Sequence, residues 1–299
     1  MRLVAYRPGD GPARVGALVD DRVADLAAAH AALGAEDAFP ADMLTLLRAE
    51  AEGMEGARRC LEHALAAGVA WTALADVTLL SPLPRPNSIR DFMLHEEHAS
   101  GGGKRQLPPE WYEIPAYWKG NCDAVFGPDD PIRWPRYTEL LDYELEIGLV
   151  IGRRAREVTL EEAPSCIAGY TIFNDWSARD IQRREMKIGL GPGLGKDFAF
   201  SFGPALVTPD DFPGMSARMT ARINGEVWSD GSLEGMHMSF EELIVHLSQE
   251  QELHPGDVLG SGTIGGGCGA ELDRWLQPGD VVELEVEGLG VLRNVVHRP

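Results

Sequence analysis

The feature that most constrains the fold is the segment over residues 167–182, where an apolar run leads directly into polar residues. The run Ile167–Phe173 predicts a buried strand. Ser177 is a good N-cap and Asp180 follows three residues later, close to a capping-box arrangement, so a helix is predicted to begin there. Asp175 then lies at a strand-to-helix junction, where a carboxylate can face a cavity. An acid near a helix start also serves as a cap or dipole partner, and this alternative stays open.

A second group of acids lies upstream, in residues 141–151. The alternation predicts a strand that carries Asp142, Glu144 and Glu146 on one face. Three carboxylates on one face repel each other unless a cation or basic side chains lie among them. Such alternation is also typical of a solvated strand face. However, the strand runs into the apolar residues 148–151, which favours a position away from the rim of the sheet.

Charge and length limit the class of protein. The formal net charge is −20, which argues against binding to nucleic acid or to an anionic membrane surface. The 299 residues suit two domains or one large one. Residues 1–11 contain no apolar signal region and no run reaches membrane-spanning length, so a cytoplasmic protein is expected. The cysteines (Cys60, Cys122, Cys166, Cys268) lack metal-ligand spacing and are expected to be free thiols.

The amino-terminal part has the pattern of a small α/β domain. Strands are predicted over 2–6, 14–19 and 77–80, and helices over 23–33 and 52–67. The proline-rich segment 81–86 then ends regular structure. We therefore predict a small domain over residues 1–80 and a second domain over residues 81–299.

The carboxyl-terminal third is predicted to consist mainly of strands. Asn224-Gly225 is a strong hairpin signal. Ser239 and Glu242 form a capping box for a helix over 240–250. Pro-Gly-Asp turns at 255–257 and 278–280 each introduce an apolar strand.

The start of the second domain, residues 89–98, is dense in titratable groups. On a helix, Asp91, His95 and His98 share one face, since they are spaced by four and three residues. A polar helix surface is the alternative interpretation. The triple-glycine segment 99–110 that follows is either a mobile loop whose Lys104 and Arg105 meet an anionic substrate or a plain surface loop.

Together these motifs resemble the fumarylacetoacetate hydrolase (fumarylacetoacetase) superfamily. The resemblance rests on Glu144-x-Glu146, on the string from Asn174 to Gln182, and on Gly195-Lys196 and Gly262–Ile264 in that order. It covers residues 81–299. The fold that it implies is α+β and mainly β, with a fumarylacetoacetase-like rolled β-sheet catalytic domain after the small amino-terminal α/β domain. It also implies a homodimer.

The resemblance assigns roles to individual residues. The implied metal ligands are Asp91, Glu144, Glu146 and Asp175. The implied catalytic residues are the base His98, its orienting partner Glu271, and the oxyanion-holding Arg179, Gln182 and Lys196. The implied substrate contacts are Phe92, Lys119 and Thr263. Other members of the family point to His95 as the base instead. Met186 and Phe200 replace hydroxyl-bearing residues of the family, so the resemblance does not carry over the identity of the acyl substrate.

These residues predict a reaction. Four carboxylates are hard oxygen ligands, so we expect a divalent cation, Mg²⁺ first, with Mn²⁺ or Ca²⁺ as alternatives. The predicted function is hydrolysis of a carbon–carbon bond in a β-diketone or acylpyruvate-type 2-oxo acid, through a metal-stabilised enolate and a water activated by His98. The alternatives are decarboxylation, hydration or isomerisation of a 2-oxo acid. A protein that only binds metal or a small acid is the alternative from another class.

Overall fold

A computed structural model of the chain describes residues 1–298. The strands of the first 80 residues are β1 (Arg2–Pro8), β2 (Arg14–Val19), β3 (Arg22–Asp25), β4 (Trp71–Ala73) and β5 (Val77–Leu80). The next are β6 (Ser88–Phe92), β7 (Tyr117–Gly120), β8 (Val125–Phe126), β9 (Pro131–Arg133), β10 (Leu141–Asp142), β11 (Leu145–Ile151), β12 (Ile167–Asp175), β13 (Ser177–Ala178) and β14 (Phe200–Val207). The last are β15 (Met219–Ile223), β16 (Glu226–Gly231), β17 (Asp257–Gly260), β18 (Val281–Val286) and β19 (Gly290–His297).

The helices are mostly short and lie between the strands. They are α1 (Leu26–Ala32), α2 (Met43–Arg48), α3 (Glu50–Ala67), α4 (Glu96–Ala99), α5 (Pro109–Glu113), α6 (Arg179–Glu185), α7 (Phe240–Leu247) and α8 (Gly269–Leu272). Short 3₁₀ helices cover Leu74–Asp76, Ala163–Cys166, Met186–Ile188 and Leu233–Gly235. Within the described residues, no helix is both long enough and apolar enough to cross a membrane.

One large sheet runs through most of the molecule, in the order β4-β3-β2-β1-β14-β12-β11-β17-β6-β7. β1 joins the amino-terminal strands to the rest, because Arg2 and Leu3 pair with Val207 and Leu206 of β14. A second sheet has the order β16-β15-β18-β19-β9. Strand therefore dominates, and the predicted α+β, mainly β class of this family is confirmed.

The centre of the large sheet is buried on both faces. All seven residues of β11 are buried, as are Ala168–Asp175 of β12. Runs of this kind are expected where side chains pack on both sides of a strand. Because β12 and β17 are antiparallel to β11 and β6 is parallel to β17, the carboxyl ends of β12, β17 and β6 meet the amino end of β11. One end of the sheet thus collects the polar residues that follow these strands.

Several local predictions are confirmed. β15 and β16 flank Asn224-Gly225 as a hairpin, and β17 and β18 follow the two Pro-Gly-Asp turns. Helix α7 begins with the predicted capping box, in which the Ser239 side chain accepts from the Glu242 N–H and the Glu242 carboxylate accepts from the Ser239 N–H. Each of these signals depends on residues close together in the sequence, and in these places distant contacts did not override the local preference.

Three local predictions were wrong. The helix predicted over 23–33 begins only at Leu26, because Val23 and Ala24 pair within the sheet and Asp25 is the N-cap. Ser177 does not cap α6, because it pairs with Asp142 in the β10–β13 ribbon.

The third error concerns Asp91, His95 and His98, which do not share a helix face. Asp91 belongs to strand β6, His95 precedes α4, and His98 lies within that single helical turn. The 3.6-residue spacing was present, but pairing of β6 with β17 and β7 determines the local structure.

Candidate active site

A cluster of buried carboxylates lies at the sheet end described above. Asp175 ends β12, Glu146 is in β11, Glu144 precedes β11, and Asp91 lies near the end of β6. One oxygen atom of each lies within 4.8 Å of those of the others. All four residues are buried. The alternating acids are therefore not on a solvated strand face, and Asp175 is not a helix cap.

The neighbouring strand leaves room for the Asp91 carboxylate. Gly260 pairs with Asp91 across β17 and β6, and a Cβ atom at Gly260 would lie 2.3 Å from Asp91 Oδ1. Any residue other than glycine at position 260 would collide with this side chain. On the other side, Trp118 Nε1 donates to Asp91 Oδ2 at 3.0 Å. The carboxylate is thus fixed from both neighbouring strands.

Two buried cations neutralise one member of the cluster. Lys196 Nζ contacts Glu144 Oε2, and it also donates to Asp175 Oδ2 at 2.5 Å. Arg179 Nη2 lies 2.8 Å from Glu144 Oε1. Burial alone would raise the pKa of Glu144, but the charges of Lys196 and Arg179 outweigh it and hold that pKa well below its usual range. Glu144 is therefore ionised.

The other three acids are less well compensated. Burial raises the pKa of Asp91, and burial with the charge of Asp91 raises the pKa of Glu146 well above its ordinary value. The pKa of Asp175 is also raised well above its ordinary value, first by burial, although Lys196 acts against this. Asp91 Oδ1, Glu146 Oε2 and Asp175 Oδ1 are buried without a hydrogen-bond partner. Three unpartnered carboxylate oxygens in one cluster fit a divalent cation such as Mg²⁺ or Mn²⁺.

A histidine–glutamate pair faces the cluster. His98 Nδ1 lies 2.9 Å from Glu271 Oε2, and His98 Nε2 lies 4.0 Å from Glu144 Oε1. Burial would raise the pKa of Glu271, but the hydrogen bond to His98 lowers it below its ordinary value. A carboxylate on one ring nitrogen fixes the tautomer, which leaves the other nitrogen able to accept a proton. The arrangement is that of an oriented base.

His95 has a different environment. It is 3 % exposed, burial lowers its pKa to about 4, and its Nε2 has no hydrogen-bond partner. It forms an isolated bridge with Met236 and is not among the residues that line the cavity. The geometry therefore favours His98 over His95 as the residue that meets a substrate.

A cavity of about 250 Å³ opens onto the carboxylates and His98. It is bordered by both polar and apolar predicted site residues, namely Asp91, Phe92, His98, Glu144, Glu146, Gln182, Lys196 and Thr263. The hydroxyl of Thr263 donates to Glu146 Oε1 at 3.1 Å. Met186 also contributes to the wall. The cavity can hold a small organic acid.

Four predicted site residues lie outside the cavity wall. Asp175 belongs to the carboxylate cluster and contacts Lys196 from behind the wall. Arg179 Nε donates to Asp142 Oδ2 at 2.7 Å, and Arg179 Nη1 donates to Gln182 Oε1 at 3.1 Å, so this residue stands behind Glu144. Glu271 lies behind His98. Lys119 is exposed on β7 and is not among the residues that line the cavity, unlike its neighbours Tyr117 and Trp118.

Sequence reasoning missed two contacts. Trp118 lines the cavity, and its indole N–H donates to the Asp91 carboxylate. Asp142 was grouped with the strand acids, but it lies apart from the carboxylate cluster and binds backbone N–H groups of α8. No signal in the sequence indicates this contact, since the partners are 127 and 128 residues apart.

Fold and site together define a class of enzymes in which a buried acidic cluster suited to a divalent cation faces a histidine within a mainly β fold. The chain belongs to the fumarylacetoacetate hydrolase family. The model named "Fumarylacetoacetate (FAA) hydrolase C-terminal" matches residues 88–297. The expected superfamily is therefore confirmed.

Relatives match over most of their length. Oxaloacetate tautomerase YisK of Bacillus subtilis is 30 % identical over 293 residues, which cover 94 % of this chain and 95 % of that protein. The mitochondrial oxaloacetate tautomerase Fahd2a of Rattus norvegicus is 32 % identical over 266 residues, with coverages of 87 % and 81 %. The solved structure of a fumarylacetoacetate hydrolase from Exiguobacterium antarcticum has a TM-score of 0.73 and 25 % identity, and the match covers 100 % of each chain. The names of these relatives support enolate chemistry as the chemistry of the family.

Proposed function

We propose that this protein is a divalent-metal-dependent hydrolase that cleaves a carbon–carbon bond in a β-diketone or acylpyruvate-type 2-oxo acid. The observation that carries the proposal is the His98–Glu271 pair, whose free nitrogen Nε2 faces the carboxylate cluster from 4.0 Å. A protein that only binds metal or a small acid needs no oriented base at this point. The similarity to a fumarylacetoacetate hydrolase supports the same reaction class.

Asp91, Glu144, Glu146 and Asp175 would hold the cation. When bound, a divalent ion supplies a Lewis acid that polarises carbonyl oxygens of a 2-oxo acid. With four acids against Lys196 and Arg179, the cluster keeps unpaired negative charge for such an ion.

His98 supplies the base. It takes a proton from water at Nε2, and Glu271 stabilises the imidazolium through Nδ1–H. The resulting hydroxide adds to the acyl carbonyl carbon, and the bond between that carbon and the neighbouring CH₂ of the pyruvate half then breaks. The electron pair passes to the pyruvate half as its enolate, which takes the proton back from His98. The products are a carboxylic acid and pyruvate, so water is the only co-reactant.

Three polar side chains of the cavity would hold the substrate's oxygens. Lys196 and Gln182 can stabilise developing negative charge, while Thr263 can orient the acid. Arg179 does not line the cavity and would act indirectly, because it neutralises Glu144 and donates a hydrogen bond to Gln182. Removal of one oxyanion donor typically costs about 2.7–4 kcal/mol of transition-state stabilisation.

A second candidate function is keto–enol tautomerisation of oxaloacetate. It is supported by two relatives that are named oxaloacetate tautomerases and are 30 % and 32 % identical to this chain. The same His98 would move a proton between C3 and the carbonyl oxygen without breaking a carbon–carbon bond. Decarboxylation, hydration and isomerisation of 2-oxo acids use related enolates and form the wider set of alternatives.

The test is a turnover screen with acylpyruvates, β-diketones and oxaloacetate, each with Mg²⁺, with Mn²⁺ and with EDTA. If the protein is a hydrolase, an acylpyruvate should yield pyruvate and a carboxylic acid in equal amounts. EDTA should abolish the release of both. Loss of enol absorbance from oxaloacetate, with no pyruvate from any acylpyruvate, would replace hydrolysis by tautomerisation. Full turnover in EDTA would contradict the metal-dependent site.

A further inference from the structure

The carboxylate of Asp142 is a junction of four hydrogen bonds. Its Oδ1 accepts from the N–H of Gly269 at 2.8 Å and of Tyr143 at 3.0 Å. Its Oδ2 accepts from Arg179 Nε at 2.7 Å and from the N–H of Ala270 at 3.1 Å. The side chain is 0 % exposed. Every lone pair of this carboxylate is therefore used, and no oxygen is left for a cation or a substrate.

Two of these donors begin helix α8, which carries Glu271. Cys268, the N-cap of α8, makes no capping hydrogen bond with its side chain. Asp142 takes over that function from a distant strand, since it accepts from the first two N–H groups of the helix. The chain is also packed closely here, because a Cβ atom at Gly269 would lie 2.7 Å from Asp142 Oδ1.

The other side of the junction leads to the carboxylate cluster. Arg179 bonds Asp142 through Nε and contacts Glu144 through Nη2 at 2.8 Å. Asp142 therefore contacts both helix α8, which carries the Glu271 partner of His98, and Arg179, which contacts Glu144. A displacement of Asp142 would move the base and the cluster relative to each other.

We propose that Asp142 is a positioning residue that holds Glu271 against His98 by capping α8 and holds Arg179 against Glu144. It acts through these groups and touches no substrate. Its effect on turnover rests on the proposed function, whereas its effect on the His98–Glu271 hydrogen bond does not.

Asp142→Asn is the direct test, because an amide offers one acceptor oxygen where the carboxylate has two. The matched control is Asp25→Asn. Asp25 is also buried, caps α1 through the Ala28 N–H at 2.9 Å and binds an arginine, Arg14, at 2.5 Å, but lies in the amino-terminal part. Both variants should lose stability. Only Asp142→Asn should lower kcat, by about 10²-fold, which is the typical cost of misplacing a catalytic group by about 1 Å.

A spectroscopic signal tests the positioning without any substrate. The Nδ1–H proton of His98, bonded to Glu271, should give a downfield NMR resonance that is identified by its absence in His98→Ala. We expect this resonance in the parent and in Asp25→Asn, and its loss or shift in Asp142→Asn. If the parent turns over none of the substrates, the proposed function fails, and this resonance alone decides the role of Asp142.

A double variant completes the test. If Asp142 acts in part through Glu271, then Asp142→Asn combined with Glu271→Gln should lose less activity than the two single losses multiplied together. Fully additive losses, or an unchanged resonance in Asp142→Asn, would overturn the proposal. Should Asp142→Asn fail to fold, Asp142→Glu keeps the charge and moves the carboxylate by one methylene. It should likewise shift the resonance, and an unshifted one would overturn the proposal equally.

Discussion

At the scale of single residues, the site is defined by an excess of buried negative charge. Five carboxylates (Asp91, Asp142, Glu144, Glu146, Asp175) are buried around two cations, Arg179 and Lys196. Arg179 forms ion pairs with Asp142 and Glu144, and Lys196 forms ion pairs with Glu144 and Asp175. A buried charge that lacks a partner is costly, so the remaining acids either take up protons or bind a cation.

This charge balance predicts how stability depends on pH. Burial raises the pKa of Asp91, and burial together with the charge of Asp91 raises the pKa of Glu146. Such groups favour folding when protonated, and that contribution is lost as pH rises through the folded-state pKa. In EDTA, the melting temperature should therefore fall as pH rises above the ordinary carboxyl value of 4.5, and saturating Mg²⁺ should flatten the slope. The pKa of Glu144 is lowered by folding, so ionised Glu144 stabilises the folded state. That stabilisation is lost only in acid, below the ordinary glutamate pKa of 4.5.

Glu146→Gln is the matched variant for this measurement by differential scanning fluorimetry. It removes one repelling charge, so it should raise the melting temperature of the metal-free protein at pH 8 and weaken the binding of Mg²⁺. The same pH slope in the parent and in Glu146→Gln would contradict the assignment, and so would unchanged affinity for the ion.

The choice of base gives the second prediction. His98→Ala should lower kcat by roughly 10²–10⁴, because general base catalysis is lost. His95→Ala removes a buried side chain outside the cavity, so it should lower the melting temperature and leave most of the turnover. Steady-state kinetics of both variants at saturating Mg²⁺ decide this. Normal turnover in His98→Ala with a crippled His95→Ala would make His95 the base.

The family resemblance predicted which acids meet, whereas strand alternation alone grouped Asp142 with Glu144 and Glu146. The resemblance also predicted the contact between His98 and Glu271, which the structure has at 2.9 Å. Their chemical roles remain predictions. The roles of Trp118 and Asp142 depend on partners in other strands and helices, so local patterns had no information about them.

At the scale of elements, the ends of neighbouring strands determine the site. Sequence periodicity predicted strands β11 and β12, whereas β6 was interpreted as a helix because its spacing also fits one. The segment becomes a strand because β17 and β7 flank it on both sides. Pairing of this kind is decided by residues far away in the chain, which a local pattern cannot include.

The glycine opposite Asp91 offers a test at this scale. In Gly260→Ala, the added methyl group would lie 2.3 Å from Asp91 Oδ1 and 2.6 Å from the Phe173 ring. We expect a loss of about 1–3 kcal/mol in the free energy of unfolding, together with weaker metal binding. Urea denaturation and titration calorimetry with Mn²⁺ measure the two effects.

Gly148→Ala is the control, since Gly148 pairs with Gly260 but its nearest neighbour, Val258 Cγ1, would be 3.3 Å away. It should change metal affinity little. Equal loss of metal affinity in both variants would show that the effect comes from general destabilisation and does not depend on the space beside Asp91.

At the scale of the whole molecule, residues 1–80 and residues 81–298 share one sheet. β1 pairs with β14, and one apolar cluster includes Leu3 together with Leu206 and Phe202. The proline-rich segment that marked the predicted domain boundary does not interrupt this cluster. The division at residue 80 stays a prediction, and the shared sheet makes cooperative unfolding the expected behaviour.

Leu3→Ala tests that cooperativity. Leu3 is fully buried, so its truncation should cost about 2–5 kcal/mol. Unfolding in urea, followed by circular dichroism and by loss of Mn²⁺ binding, should shift to lower urea by the same amount with both probes. Leu65→Ala, at a position that is 53 % exposed, should leave both curves unchanged. Loss of the amino-terminal structure while Mn²⁺ stays bound would show two independent units.

The pairing of β1 with β14 also has a consequence for synthesis on the ribosome. Leu3 leaves the exit tunnel early, but its partner Leu206 is translated about 200 residues later. Until then, Arg2 and Leu3 lack their partner strand, although β5 already pairs with residues 5–8 of the same edge. Unpaired strand edges are prone to aggregate. Slow translation should therefore prolong the period in which a nascent chain needs chaperones.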